Sequence, residues 1–159
     1  MVTLDYRLSP LWHSIAAPAV KFAALTEFEL EGEVFFGEAI ILINGHDLSW
    51  HVDLPLIDFA RNLFMAVTEL SPLEPEAHVR TLDYNERIYL FLDERSVIIR
   101  PTYSAEEATC ALPELTAAAA AFGLRVHGDF VSAYPESKQS GILKEWYPLM
   151  DMKRIAKTA

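Results

Sequence analysis

Residues 39 to 55 read Ala-Ile-Ile-Leu-Ile-Asn-Gly-His-Asp-Leu-Ser-Trp-His-Val-Asp-Leu-Pro, and this run decides the fold class. Glu38 to Ile43 is of strand length and contains the apolar run Ala39 to Ile43. Asn44-Gly45 supplies two residues that tolerate positive φ, as a tight hairpin turn requires. Leu48 to Leu54 then alternates, with Leu48, Trp50, Val52 and Leu54 against Ser49, His51 and Asp53. After Pro55 the spacing changes. Leu56, Ile57, Ala60, Leu63, Phe64, Val67 and Leu70 recur at helical intervals. Asp53 is the expected N-cap, with Pro55 in the first turn, and Ser71-Pro72 ends the helix. A hairpin followed by an amphipathic helix implies an antiparallel α+β fold.

The flanks extend the pattern. Thr26-Glu27-Phe28-Glu29-Leu30-Glu31 alternates with period two, which predicts a strand with Phe28 and Leu30 on one face and Glu27, Glu29 and Glu31 on the other. A hairpin is expected near Glu31-Gly32, and a bulge or bend at Gly37. Downstream, His78 to Asp83, Arg87 to Leu92, Ser96 to Tyr103 and Ala108 to Leu112 read as strands. Turns fall at Tyr84-Asn85-Glu86 and Asp93-Glu94-Arg95. Pro101 cannot donate to a ladder, so it favours an edge position or a bulge. A second helix opens at Pro113 and carries Leu115, Ala118, Ala119, Phe122, Val126 and Phe130, weakened by Gly123 and Gly128. Ser137 to Tyr147 is a short last helix.

The expectation is an antiparallel sheet of about five to seven strands with two main helices packed on one face. Leu54-Pro55 and Leu112-Pro113 each open a helix after several strands, which suggests a strands-then-helix unit used twice. Residues 1–150 make one domain, and a polar, frayed tail follows from Asp151.

The chain has 159 residues, 52% of them hydrophobic, enough to bury a core without metal or disulfide. Its one cysteine, Cys110, reads as a buried, inert thiol in a reducing compartment. Met1 to Ser9 lacks a signal-peptide layout, and the longest apolar run is too short for a bilayer. The expected location is the bacterial cytoplasm.

The net charge is −10 and is unevenly spread. Residues 22–60 contain eight carboxylates and no Lys or Arg, while residues 138–159 are net +3. This distribution argues against nucleic acid or an anionic membrane as partner, and for a basic protein. The sharpest feature is the glutamate series Glu27, Glu29, Glu31 and Glu33. Like charges side by side on a strand repel, and persist if solvated or met by cations. They are the first candidates for partner contact. Tyr89 and Phe91, opposite Ile88, Leu90 and Leu92, are the second, if helices cover only one sheet face.

Catalytic signatures are absent: no phosphate-cradling glycine loop, no nucleophile elbow, no zinc-protease helix. The expectation is a non-enzyme with no cofactor, no metal and no catalytic residue. One polar cluster competes with that reading. His46, Asp47, His51 and Asp53 lie within eight residues and could bind a metal or move protons, although their spacing matches no established site and a solvated turn is the simpler account.

Four motifs carry a resemblance: Leu54-Pro55-Leu56-Ile57-Asp58-Phe59-Ala60, Arg95-Ser96-Val97-Ile98-Ile99, Thr102-Tyr103 and Leu112-Pro113-Glu114-Leu115. In this order, from about Glu27 to Phe130, the chain resembles a family of small uncharacterised bacterial proteins found near polymorphic toxin systems, some regarded as immunity proteins. The motifs are structural, so no functional residue follows from them. The resemblance implies stoichiometric binding to a toxin domain, and an acidic inhibitor suits a nuclease whose substrate is also anionic. An accessory subunit of a larger assembly is a further alternative. Monomer and homo-oligomer remain equally compatible with the sequence.

Overall fold

The computed structural model describes residues 1–81 and 85–150. The end of the strand expected at His78 to Asp83, the turn residue Tyr84 and the tail from Asp151 lie outside them.

Strand β1 (Val2–Leu8) leads through helical turns at Trp12–Ala16, Ala17–Ala19 and Phe22–Ala24 into helix α1 (Glu27–Gly32). Strands β2 (Phe36–Ile43), β3 (His46–Asp47) and β4 (Trp50–Pro55) precede helix α2 (Leu56–Glu69). Strands β5 (Glu76–Val79), β6 (Ile88–Asp93), β7 (Ser96–Pro101) and β8 (Ala108–Ala111) precede helix α3 (Leu112–Ala133), and helix α4 (Gly141–Trp146) follows. The class is α+β with antiparallel pairing throughout. The strands divide into two four-stranded sheets where the sequence suggested one.

In the first sheet β2 is central. It pairs with β1 on one side and with β3 and β4 on the other. Asn44 (φ 48°) and Gly45 (φ 88°) make the expected hairpin turn. The β2–β4 register runs from Gly37 opposite Leu54 to Ala39 opposite Trp50, so β4 carries two extra residues. That bulge keeps Trp50 and Leu54 buried while Val52 is pushed into solvent.

The second sheet is a meander, β5-β6-β7-β8. Ile88, Leu90, Val97, Ile99, Ala108 and Cys110 point inward. Pro101 ends β7, a central strand, yet β8 reaches back only to Ala108 opposite Ile99, so no ladder partner is lost at the proline. The edge condition is met locally, within a central strand.

Helices α2 and α3 pack on each other. α2 also contacts β2, β4 and β5, and α3 contacts β1 and β8. The apolar stripe read for α2 is buried throughout. α3 runs unbroken past Gly123 and Gly128, because Phe122, Val126 and Phe130 anchor it in the core on both sides. The free edge of β1 is covered by side chains. Glu114 accepts from Val2 N (2.9 Å), the Asp5 carboxylate from Tyr6 N (2.8 Å), and Arg125 donates to the Leu4 carbonyl (2.5 Å).

Two local expectations are corrected. Residues 27–32 form a helix, not a strand. Thr26 Oγ1 accepts from Glu29 N (3.2 Å), while Glu29 Oε2 accepts from Thr26 N (2.7 Å), a reciprocal capping box. The hairpin at Glu31-Gly32 therefore does not exist. At α2 the N-cap position is Pro55, not Asp53, which stays in β4. The first N–H of α2, at Leu56, is satisfied by the carbonyl of Phe35 (3.1 Å). The duplicated unit is visible as an order of elements. The two Leu-Pro pairs are not equivalent, however, since Pro55 precedes its helix and Pro113 is the second residue of its own.

Candidate functional site

The bulge in β4 and the segment after β7 leave a cleft of about 420 Å³ between the two sheets. Asp47, Ser49, Trp50, His51, Val52, Glu86, Tyr103 and Ser104 line it. Its aromatic wall is a stacked pair, Trp50 and Tyr103, with ring centroids 4.8 Å apart and planes inclined by 22°. The Tyr103 hydroxyl donates to the Leu48 carbonyl (2.8 Å), which ties the second sheet to the first. Burial raises the Tyr103 pKa, and the negative charges of Asp47 and Glu86 raise it further. The phenol stays neutral.

Asp47 is held by Ser49. Its Oδ1 accepts from Ser49 N (2.9 Å), and the Ser49 hydroxyl, itself an acceptor for Ile41 N (3.0 Å), completes the support. These two bonds, the hydroxyl's first, hold the Asp47 carboxyl below its ordinary range. The Thr102 hydroxyl donates to Glu86. Among the described residues the cleft thus presents two anchored carboxylates and one histidine, with no lysine or arginine in its lining.

The polar cluster read from the sequence is only partly assembled here. Asp47 and His51 line the cleft. His46 instead faces Glu106, with Nδ1 3.1 Å from Oε2, and His51 Nδ1 lies 4.0 Å from Glu38 Oε2. Asp53 shares the exposed stretch of β4 with His51. Among the described residues no group of three or more His, Cys, Asp or Glu side chains is placed to hold a metal ion.

The glutamates sit on and just after α1, which packs against α2 and against β4, the strand that also contributes to the cleft. The helix redistributes them. Glu29 turns back to cap Thr26, Glu27 and Glu31 fall one turn apart on one face, and Glu33 lies just past the helix end. No Lys or Arg among the described residues forms an ion pair with Glu27, Glu31 or Glu33. Between them Phe28 is 66% exposed, while Leu30 is fully buried. In a strand the two would have shared a face. In a helix, two positions apart, they point in nearly opposite directions.

Tyr89 and Phe91 lie on the second sheet's outer face, away from α2 and α3. Their rings stack at 6.2 Å. The Arg100 guanidinium lies 5.3 Å from the Phe91 ring, and His78 approaches Tyr89. Both aromatics are half-buried by these neighbours. The reading of one covered face and one open face holds for this sheet. Tyr103, Glu86 and Phe28 were not among the sequence's candidates. Tyr103 and Glu86 meet the β3–β4 segment only through the pairing of distant chain regions, whereas Phe28 was hidden by the strand reading.

Cys110 is 4% exposed, and burial pushes its thiol up to about 11. It is a core side chain, as read. No helix among the described residues is long and apolar enough to cross a membrane. No family model, curated protein or solved structure matches the chain.

Proposed function

We propose that this chain is a non-catalytic inhibitor, of the immunity-protein type, that neutralises a basic toxin domain by stoichiometric binding in the cytoplasm. One observation carries the reading. A cleft lined by Asp47 and Glu86, with no lysine or arginine among its described lining residues, opens on β4, and the α1 segment that packs on this strand carries Glu27, Glu31 and Glu33 with no cationic partner among the described residues. Carboxylates kept apart from the chain's own cations favour a cation brought by another molecule. Phe28 adds an exposed aromatic on α1, the residue class that anchors interfaces. Tyr89, Phe91 and Arg100 offer a second, more neutral surface. Nuclease domains suit this partner chemistry, since a phosphate-binding groove is basic and would accept the same carboxylates.

The test is co-expression with the toxic protein encoded beside this chain. The inhibitor should restore growth and co-purify in one-to-one ratio. Reversing Asp47 and Glu86 together to lysine should weaken the complex by at least about tenfold. Rescue by the reversed protein as complete as by the natural one would move the interface elsewhere. A second reading, a small enzyme, is favoured only by Asp47 and His51 lining the same cleft. It requires that His51→Ala abolish a measurable turnover.

A further inference from the structure

A second cavity, of about 200 Å³, lies on the far part of α3, bounded by His127, Val131, Ser137, Lys138, Leu143, Lys144 and Tyr147. Three features set it apart. Its walls are apolar, made by Val131, Leu143 and the ring of Tyr147 tilted against His127 (centroids 4.2 Å apart). The hydroxyl of Ser137, a fully buried residue, has no hydrogen-bond partner among the described residues, and such a group costs about 1–3 kcal/mol when left unsatisfied. Two exposed lysines, Lys138 and Lys144, stand in its lining, and neither forms an ion pair among the described residues. In a chain of net charge −10, the described lining of this cavity holds two cations and no carboxylate, a local balance that favours an anion.

We propose that this cavity binds a small monocarboxylate with a short hydrocarbon body. The volume equals about seven water-sized spaces, room for a short chain or a single ring. The apolar body would lie against Val131, Leu143 and Tyr147, where burial displaces water. The carboxylate would meet the ammonium groups of Lys138 and Lys144. The Ser137 hydroxyl, next in sequence to Lys138, rotates to donate to the same group. His127 is kept neutral by burial and supplies a flat, weakly polar wall rather than a competing cation. This site stands apart from the acidic cleft, and neither proposal depends on the other.

The experiment is an NMR or calorimetric titration of the full chain with hexanoate, 1-hexanol and hexylamine in parallel. Hexanoate should bind most tightly, with shifts centred on Val131, Ser137, Leu143 and Tyr147, and both comparison ligands should be weaker by at least about tenfold. Lys138→Glu with Lys144→Glu, both surface changes that leave the fold intact, should reduce hexanoate affinity by at least about tenfold while hexanol is unaffected. Ser137→Ala should produce a smaller loss in hexanoate alone. Hexanol binding as tightly as hexanoate would overturn the proposal, as would no saturation by hexanoate up to about 10 mM, well beyond the range of a specific site.

Discussion

At Gly37 the backbone leaves room for a hydrogen atom and nothing larger. A Cβ there would lie 2.3 Å from the Arg7 carbonyl oxygen of β1 and 3.0 Å from Leu56 Cδ1. The first obstacle is backbone in a paired strand and cannot yield cheaply. Gly37→Ala should therefore lower stability by about 2–3 kcal/mol, read as a shift in urea midpoint at constant m-value. An unchanged midpoint would mean that β1 does not pair there. The sequence announced Gly37 as a special position but not its reason, because the neighbour that crowds it comes from the N-terminal strand. Phe35 is the opposite case. It holds φ 57°, a conformation glycine would adopt freely, yet it is a buried aromatic touching Tyr6, Trp12 and Phe130. Its carbonyl takes the first N–H of α2, and packing offsets the local strain. No single-residue signal marks such a position. His127 gives a pH-dependent prediction. Burial lowers its pKa in the folded protein, so the unfolded chain binds this proton more readily. Stability then falls as pH drops through about 6.5, the unfolded value, and continues to fall until the folded pKa is passed. His127→Gln should flatten that part of the stability–pH profile, and an unaltered slope would assign the loss to another group.

Element α1 shows how a local pattern can support two structures. T-E-F-E-L-E alternates as a strand should, but Thr26 and Glu29 are also spaced as a capping box. The box wins because four neighbouring groups are satisfied in one turn and because Leu30 alone needs burial. The two readings differ in a measurable way. With the helix, Leu30→Ala should cost about 2–5 kcal/mol and Phe28→Ala about 0.5 kcal/mol or less. With a strand both would cost alike, so a similar loss at Phe28 would reject the helix. Thr26→Ala should cost about 1 kcal/mol, with little further loss on adding Glu29→Ala, since both remove one motif. Elsewhere the elements were legible where periodicity and turn chemistry agreed. The α2 stripe, the Asn44-Gly45 hairpin and the β6–β7 pair all fall into this group. β1 has a readable alternation as well, with Leu4 buried between exposed Thr3 and Asp5, and Val2, Tyr6 and Leu8 half-covered on the same side. No turn joins it to its partner β2, which lies beyond α1, so nothing local marks it as a paired strand. Division into two sheets was not legible at all. It rests on which strands meet across long chain separations, and alternation says only which side of each strand is apolar.

For the whole molecule the informative quantity is where charge is left uncompensated, not how much there is. Several acids are consumed inside the fold: Asp5 by Arg125 (3.2 Å), Glu107 by Arg100 (2.9 Å) and Glu114 by the N-terminal ammonium (3.3 Å). Among the described residues the carboxylates of α1 are not consumed in this way, and those of the cleft are held by hydroxyl and amide groups that leave their charge unneutralised. The sequence revealed the cation-free block 22–60, and the fold adds that Asp47 meets Glu86, which comes from outside that block. If this side steers a basic partner, association should be fast at low salt. It should slow by on the order of tenfold as ionic strength rises through the range where the screening length falls from about 10 Å to about 3 Å, with dissociation much less affected. Glu27→Lys with Glu31→Lys takes the net charge from −10 to about −6, exchanges one i,i+4 like-charge repulsion for another and removes an acid from the first turn of α1, so folding stability should fall by no more than about 1 kcal/mol. The same change should flatten the salt dependence of association. Stopped-flow rates at several salt concentrations separate the possibilities. A charge-reversed chain that associates at the natural rate, with the natural salt slope, would show that the acids of α1 serve only to keep the protein in solution.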